Sequence, residues 1–390
     1  MIFPLEIWRL IVREACAPFA DETIVLSVPQ YVEAAAREEA QDDTLRSSTL
    51  RTRQALVSTS RATAAEAIPY LFDEIVIRNL SHFHKMIRLL KTSPFILPSS
   101  NRHPSTYAAF VRSVIVRCSI SDASLREIVQ LCPGLRSIQV HDLKLIELSD
   151  WREAQRSLEN LPGLVSLQLG IYRNLKKQFR SETAVTLPNI QFFRYAGDSN
   201  VISHWSLPGM RHLVSSSSFL GSANTPSILV FLTKVGGQLE GLLVDTVKPA
   251  HLTIDVAALC PRLLCFACAP LEREHFFSSI APRQHPNLET WTLTEVIVDD
   301  LVLGGLLDDS SVLLLPFLES ITRSNFPKLR SIRFPALLGS LRRVEWNHAL
   351  AGRPLHPAVG SLLARWATDG ISVVVPGTSS LHASLPSFQE

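Results

Sequence analysis

Three cysteines lie close together in the second half of the chain, at Cys260, Cys265 and Cys268. The Cys-x-x-Cys spacing of the last pair is that of half a zinc site, because two thiolates at this spacing can bind one tetrahedral ion. In a strand, however, Cys265 and Cys268 point to opposite faces and cannot chelate together. Cys268 falls on the last apolar position of a recurring strand motif, so we expect it to face the core. The sequence therefore predicts no metal site.

Catalytic motifs are also missing from the sequence. It contains no Gly-x-Ser-x-Gly elbow, phosphate loop, dinucleotide fingerprint or His-Glu-x-x-His pair, which removes the common hydrolases, kinases and dehydrogenases that carry them. The net charge of +2, with both signs mixed, lacks the basic stripe of nucleic-acid-binding proteins. We expect a protein that is not an enzyme and that has neither a cofactor nor a nucleic-acid partner.

A second set of candidate residues recurs at the outward-facing positions of the same motif. An aromatic residue and two arginines in a mixed polar row are typical of a protein-binding face rather than of a catalytic cluster. We predict that Phe192 and Arg194 form an exposed pair at its centre. The predicted substrate face consists of Gln139, Gln168, Phe192, Arg194, His212 and Arg333.

The motif that positions these residues is Pro-x-Leu-x-x-Leu-x-Leu with apolar substitutes. It is clearest from Cys132 to Val140 and returns with its anchor at Pro162, Pro188, Pro208, Gly237, Pro261, Pro286 and Pro327. Apart from the last interval, the spacing falls within the roughly 20–29 residues of leucine-rich repeats. The asparagine or cysteine that usually follows the last leucine of such a repeat is absent, so we expect an irregular array.

Each copy predicts a short strand that must stack beside its neighbour in a parallel sheet, with a crossover between them. The predicted fold class is therefore α/β, an irregular solenoid with strands on one face and helices on the other. The sequence indicates crossover helices at Ser124–Leu131, Asp150–Asn160, Pro226–Val235, Leu271–Ile280 and Ser311–Ser324. A strand at 341–346, a helix at 355–367 and a strand at 371–375 follow the last clear copy.

The first 77 residues carry ordered blocks: Phe3-Pro4-Leu5-Glu6-Ile7-Trp8, then Ala55-Leu56-Val57-Ser58, then Ala67-Ile68-Pro69-Tyr70-Leu71-Phe72. These blocks resemble the F-box-like N-terminus of a large fungal family, in which irregular leucine-rich repeats follow. We accordingly divide the chain into an F-box-like helical domain at 1–78 with an insert at about 17–53, a helix and linker at 79–110, the solenoid at 111–375 and a loose tail at 376–390.

The resemblance implies a substrate-recognition adaptor of a cullin-RING ubiquitin ligase. In such an adaptor the F-box helices dock the small adaptor subunit of the ligase, and the repeats hold a protein substrate. The docking residues that it implies are Pro4, Leu5, Ile7, Trp8, Ile11, Val12, Leu56 and Val57. The alternative is a repeat scaffold with no ligase role, whose N-terminal helices only cover the end of the sheet.

The expected location is the cytoplasm, the nucleus or both. Six unevenly spaced cysteines favour reduced thiols over a disulfide framework. The first residues carry Glu6 where a secretory signal would be basic and then apolar. The apolar runs, such as 228–232, are far shorter than the roughly 20 residues that cross a bilayer, so we expect no membrane partner.

Overall fold

A computed structural model describes residues 12, 28, 42–59, 61–92, 106–172, 184–197, 201–202, 204–215, 226–244, 255–268, 284–293, 318–333 and 357–374. The chain divides into two compact units. The first contains Met1–Leu26 and Gln41–Met210, and the second contains Ser27–Ala40 and Arg211–Glu390. Each unit is an α/β structure built on its own run of parallel strands, as the repeats predict.

The first unit begins with two helices, α1 (Asp42–Thr59) and α2 (Arg61–Asp73). Its strands are β1 (Glu74–Ile77), β2 (Ser113–Ser121), β3 (Ser137–Lys144), β4 (Ser166–Tyr172) and β6 (Phe192–Ala196), which lie side by side in that order and in parallel. Helices α3 (Leu80–Leu90), α4 (Asp122–Leu131) and α5 (Leu148–Glu159) connect them, with a 3₁₀ turn at Tyr107–Phe110. Two short strands, β5 (Val185–Thr186) and β7 (Trp205–Ser206), pair separately.

The second unit repeats the same plan. Its strands are β8 (His212–Ser215), β9 (Gly241–Val244), β10 (Cys265–Cys268), β11 (Thr290–Leu293), β12 (Ser331–Arg333) and β13 (Ser372–Val374), in chain order and in parallel. Its helices are α6 (Pro226–Val235), α7 (Val256–Leu259) and α8 (Pro357–Thr368), with a 3₁₀ turn at Gly236–Gln238.

In the motif copies anchored by proline, the proline occupies the second position of a tight turn. In the first copy, the amide of Leu135 donates to the carbonyl oxygen of Cys132 at 3.3 Å, and the amide of Leu263 donates to Cys260 in the same way at 3.1 Å. Proline suits this position because its ring fixes φ near the value the turn needs. The motif is thus a turn that aims the chain into the next strand.

After seven of the eight turns, two successive residues bond to the preceding repeat through a single carbonyl oxygen. The amides of Val165 and Ser166 both donate to the oxygen of Arg136, at 2.9 and 3.1 Å. The same bifurcated pair recurs in both units, with the acceptors Arg112, Val165, Arg211, Glu240, Leu264 and Glu289. Each strand therefore starts at a position set by the repeat before it.

Asparagines add a side-chain bond at the same turns. Asn189 and Asn287, each directly after the anchor proline, donate through Nδ2 to the carbonyl oxygens of Pro162 and Pro261, both at 2.8 Å. This position differs from that of the asparagine in regular leucine-rich repeats, so the sequence motif did not reveal it. The turns are held by polar bonds as well as by apolar packing.

Two buried polar residues also join neighbouring segments. Asp122, at the start of α4, accepts hydrogen bonds through Oδ2 from the amides of Ile146 and Glu147 at 3.2 and 3.3 Å. Nε2 of the fully buried His285 lies 3.0 Å from the carbonyl oxygen of Cys260, so this nitrogen carries the ring proton. Both groups satisfy polar backbone atoms that burial would otherwise leave unpaired.

The apolar core forms ladders across the strands. In the first unit, pairing aligns Val114, Ile138, Leu167 and Phe193 in one ladder and Val116, Val140, Leu169 and Tyr195 in the next, and all eight are buried. In the second unit, Leu213, Leu242, Phe266, Trp291 and Ile332 align and are buried in the same way. Leu167 and Leu169, the last two apolar positions of the motif copy anchored at Pro162, are predicted by the motif to share the inward face, and the structure confirms this.

Several boundaries differ from the sequence-based predictions. The sheet begins at β1, because Glu74–Ile77 pairs with Ser113–Val116, so the strand beginning near Val111 is the second and not the first. The sequence predicts that a helix closes at Pro69, but Pro69 lies inside α2. It also offers Ser81 as the cap of α3, whereas Asn79 is the cap, because its side chain accepts from the amide of His82. The helix predicted to reach Ser324 has ended by Ile321.

Other predicted helices agree with the structure to within a few residues: α4, α5, α6 and α8. The helix at Leu271–Ile280, the strand at 341–346 and the tail at 376–390 lie outside the described residues. Among the described residues, no helix combines the length and apolar character needed to cross a membrane.

Substitutions in β4 test the register. Leu167→Ala should lower the free energy of unfolding by about 2–5 kcal/mol, because it leaves a cavity in a fully buried ladder. Gln168→Ala should cost much less, under about 1 kcal/mol, because its Oε1 has no partner among the described residues. Urea denaturation monitored by circular dichroism measures both, and equal costs would contradict this register.

Candidate functional site

Strand pairing places three of the predicted substrate-face residues in one row. Gln139 of β3 is aligned with Gln168 of β4, and Gln168 is aligned with Arg194 of β6. Their side chains share the outward face of the first unit, opposite the apolar ladders, because alternate residues of a strand face opposite ways. The structure thus brings these three residues together on neighbouring strands.

A β-bulge interrupts the sheet next to this row. Val140 pairs with Leu169, but the next pair is Leu143 with Ile171, so His141 and Asp142 together face the single residue Gly170. A Cβ at Gly170 would lie 2.1 Å from the carbonyl oxygen of His141, which only glycine avoids. Bulges of this kind redirect side chains and are common beside functional sites.

The bulge and the row of polar residues enclose a cavity of about 610 Å³ on the outward face. This volume lies in the range of small-ligand sites, roughly 300–1,000 Å³. Small residues leave the space open, since Gly170 pairs with Ala196. The lining consists of Gln139, Val140, His141, Asp142, Lys144, Gln168, Leu169, Gly170, Arg194 and Ala196.

His141 lies at the cavity rim and is held in its neutral form. Partial burial lowers the pKa of His141 below its ordinary value, and the positive charges of Arg194 and Arg117 lower it further. Its Nε2 lies 2.8 Å from Nε2 of Gln139. A neutral ring can accept from that amide, which places the ring proton on Nδ1.

Two acceptor oxygens of the cavity lining have no hydrogen-bond partner among the described residues. They are Oε1 of Gln168, whose side chain is 5% exposed, and Oδ1 of Asp142. Buried polar atoms are nearly always paired in folded proteins, so these oxygens mark a place where a bound group would donate hydrogen bonds. The lining therefore offers acceptors, amides and cations to a bound group.

Phe192 is not exposed on the substrate face, although the sequence predicts that it is. It occupies an outward register position, but its side chain is fully buried, so the predicted exposed pair with Arg194 is wrong. The residues aligned with it at the start of each strand, Ser113, Ser137 and Ser166, are buried too. The outward face is thus covered at the first strand position, as is common in parallel sheets, and open two residues later.

His212 and Arg333 lie on the outward face of the second unit, which has a different character. The row of Val214, Leu243, Ala267 and Thr292 is buried there, so the mixed polar row predicted from sequence does not continue in this unit. Arg333, which is aligned with Thr292 at the end of this row, is half-buried.

Val28, from the predicted insert, is fully buried on this face of the second unit. Its side chain lies 3.1 Å from the place where a Cβ of Gly241 would stand, and Nδ1 of His212 lies 2.4 Å from it. Glycine is therefore needed at 241 to make room for both neighbours.

The three cysteines behave as the register predicts. Cys265 and Cys268 are the first and last residues of β10, and Cys265 aligns with Gly241 whereas Cys268 aligns with Val244. All three thiols are buried, and burial raises the pKa of each to about 12. Within the described residues, no group of three potential ligands could hold a metal ion.

Three of the predicted docking residues can be placed. Val12 packs with Ala67 in a small helical core, and Leu56 and Val57 pack against it while remaining partly exposed. Val12 itself is only 1% exposed, because residues of α1 and α2 pack against it; its predicted docking role stays a prediction. Pro4, Leu5, Ile7, Trp8 and Ile11 lie outside the described residues.

Sequence reasoning missed Asp142 and Lys144 as parts of the site. A strict alternation of faces cannot predict the bulge that brings them to the cavity. The available signal was Gly170, a single glycine that follows Leu167, Gln168 and Leu169 within a strand. An isolated glycine in a strand indicates a bulge or a close backbone approach.

Searches of protein-family models and of curated protein sequences find no match to this chain.

Phe192→Ala should now be strongly destabilising, by about 3–5 kcal/mol, because the truncated ring leaves a large buried cavity. Thermal and urea unfolding measure the effect. Gln191→Ala, at the preceding half-exposed position, is the control and should leave stability within about 0.5 kcal/mol. A silent Phe192→Ala substitution would show that the ring is exposed after all.

His212 should make the protein less stable in mild acid. Burial lowers the pKa of His212 to about 4, with Glu240 opposing and Arg211 adding to the shift. The unfolded chain binds the proton near pH 6.5 and the folded chain only near pH 4, so the free energy of unfolding falls as the pH drops between these values. The expected loss from this residue between pH 7.5 and 5 is about 2 kcal/mol.

Urea midpoints at pH 7.5 and 5 check this, and His212→Gln should remove that part of the pH dependence. His204→Gln, at an exposed histidine, is the matched control and should leave the dependence unchanged. If the two variants respond to pH alike, His212 does not carry the effect.

Proposed function

We propose that this chain is the non-catalytic substrate receptor of a cullin-RING ubiquitin ligase, located in the cytoplasm, the nucleus or both. In this function the N-terminal helices dock the small adaptor subunit of the ligase, and the outward strand face of the first unit binds a protein substrate. The observation that carries the binding role is the alignment of Gln139, Gln168 and Arg194 around one cavity. The ligase role rests on the F-box-like blocks at the N-terminus.

The character of the face supports binding rather than catalysis. A fixed parallel sheet positions the three side chains, and neighbouring repeats hold each strand through shared carbonyl oxygens. Binding sites of this kind bury a few well-placed polar and charged groups, of which arginine is one of the commonest at protein interfaces. The half-buried Arg194 beside the buried Gln168 matches that description.

The helical core around Val12 and Ala67 supports the docking role only indirectly. It shows how α1 and α2 could carry an apolar surface, since Leu56 and Val57 remain partly exposed beside it. The burial of Val12 also favours the alternative function, a repeat scaffold whose helices serve only as a cap. The two functions differ in one measurable property, binding of the ligase adaptor subunit.

Co-purification with the adaptor subunit separates them. We expect the full-length chain to bind the adaptor at micromolar concentration. Trp8→Ala combined with Ile11→Ala should abolish that binding, because both belong to the docking residues that the F-box-like resemblance implies. The repeats should stay folded, which circular dichroism and the thermal midpoint would report.

Leu80→Ala combined with Ile146→Ala is the matched control. It removes two apolar side chains of the same unit that are 52% and 59% exposed, and it should leave adaptor binding intact. If the unmodified chain does not bind the adaptor, the ligase role is wrong and the scaffold function stands. If both double variants lose binding equally, the loss does not come from a docking helix.

A further inference from the structure

We propose that the cavity of the first unit binds an anionic group that carries a hydrogen-bond donor, such as a hydrogen phosphate. The inference rests on the proposed binding role of the outward face, and it does not depend on a role in a ubiquitin ligase. The anionic group is the chemical feature that the outward face would recognise in its ligand. The donor-bearing anion could be a free ion or a group on a partner polypeptide.

The balance of charge around the cavity favours an anion. Among the described residues of the lining, Arg194 and Lys144 are cations and Asp142 is the one carboxylate, and Arg117 lies close enough to act on His141. A guanidinium is the side chain best shaped to bind two oxygens of a carboxylate or phosphate at once. The amide of Gln168 lies beside Arg194 on the neighbouring strand, and burial on the sheet strengthens its interactions.

The unpartnered acceptors require a bound group that also donates hydrogen bonds, which a simple anion does not. Oδ1 of Asp142 and Oε1 of Gln168 need donors, and they repel a group that presents only oxygen lone pairs. A hydrogen phosphate satisfies both requirements, because its charged oxygens face the cations and its O–H can donate to the carboxylate. Sulfate has similar size and charge but no O–H at neutral pH, so it should bind more weakly.

His141 reports on the occupancy of the cavity. In the described part of the chain, Arg117 of β2 and Arg194 of β6 act on its charge, Asp142 and Lys144 of its own strand share the cavity lining with it, and β4 adds only neutral residues to that lining. Without an anion, burial and the two arginines keep the pKa of His141 low. An added negative charge stabilises the imidazolium, so binding should raise this pKa and should strengthen as the pH falls toward 6.

The experiment titrates full-length, histidine-labelled protein with inorganic phosphate at constant ionic strength. The ring signal of His141, assigned by its loss in His141→Gln, should shift saturably and its titration midpoint should rise by about 0.5–1 pH unit. Arg194→Gln should weaken phosphate binding about tenfold or more. Arg136→Gln, at an exposed arginine of the same unit outside the cavity, should leave it unchanged.

Asp142→Asn provides a test that misfolding cannot imitate. One strong hydrogen bond to the carboxylate should give the unmodified protein a preference for phosphate over sulfate of about tenfold or more. Removing the carboxylate should improve sulfate binding and reduce that preference.

A capped phosphoserine tripeptide identifies the source of the anion. Tighter binding than free phosphate indicates a polypeptide ligand, and weaker binding indicates a free ion.

The proposal is overturned if sodium chloride alone reproduces the His141 shift, or if Arg194→Gln and Arg136→Gln bind phosphate equally. Neither result would affect adaptor co-purification, so failure here is separable from failure of the ligase role. If phosphate does not bind but substitutions of Gln168 and Arg194 still reduce capture of a protein partner, the binding role of the face stands and only the anion is wrong.

Discussion

The structure of both units depends on one recurring hydrogen-bond arrangement. At the start of seven strands, β3, β4, β6 and β9 to β12, two successive amides converge on a single carbonyl oxygen of the repeat before it, for example the oxygen of Arg136 or of Glu240. A backbone oxygen has two lone pairs and can accept both bonds. Because the arrangement uses only backbone atoms, it fixes the strand register whatever the side chains are. The apolar ladders follow from it, and so does the alignment of outward residues from which the cavity is built.

Much of the fold could be predicted, because side-chain patterns mark the places where this backbone arrangement begins. The anchor prolines and the leucines behind them mark each turn and strand, so the α/β repeat class, the inward register of Leu167 and Leu169 and most crossover helices follow from sequence. The strand at Glu74 was assigned to the N-terminal domain because it lacks the motif. Its pairing with β2 is a long-range contact, which a local pattern cannot reveal. Pro69 looked like a helix end for the same reason, although tertiary packing keeps α2 intact around it.

The candidate site was predictable in part. Alternation along regular strands correctly aligned Gln139, Gln168 and Arg194, because the register between β3, β4 and β6 is unbroken there. Alternation also assigned Phe192 to the outward face, but it cannot tell whether that face is covered. The packing of Val28 within the second unit shows that outward positions can be occupied by residues distant in the sequence. Burial on the second face of a sheet is a property of the whole fold, and periodicity within a strand carries no information about it.

The bulge at Gly170 has a consequence for how the specificity of this face could change. The back of the cavity is main chain, and any side chain at 170 would collide with the carbonyl oxygen of His141. Substitution there would push the strands apart before it altered the shape of the space. Variation of the cavity is therefore confined to its walls, at Gln139, Gln168 and Arg194, whose replacement leaves the backbone bonds untouched. The repeat thus separates a rigid frame from an interchangeable surface, which is the arrangement from which laboratory selection of new binding proteins ordinarily starts.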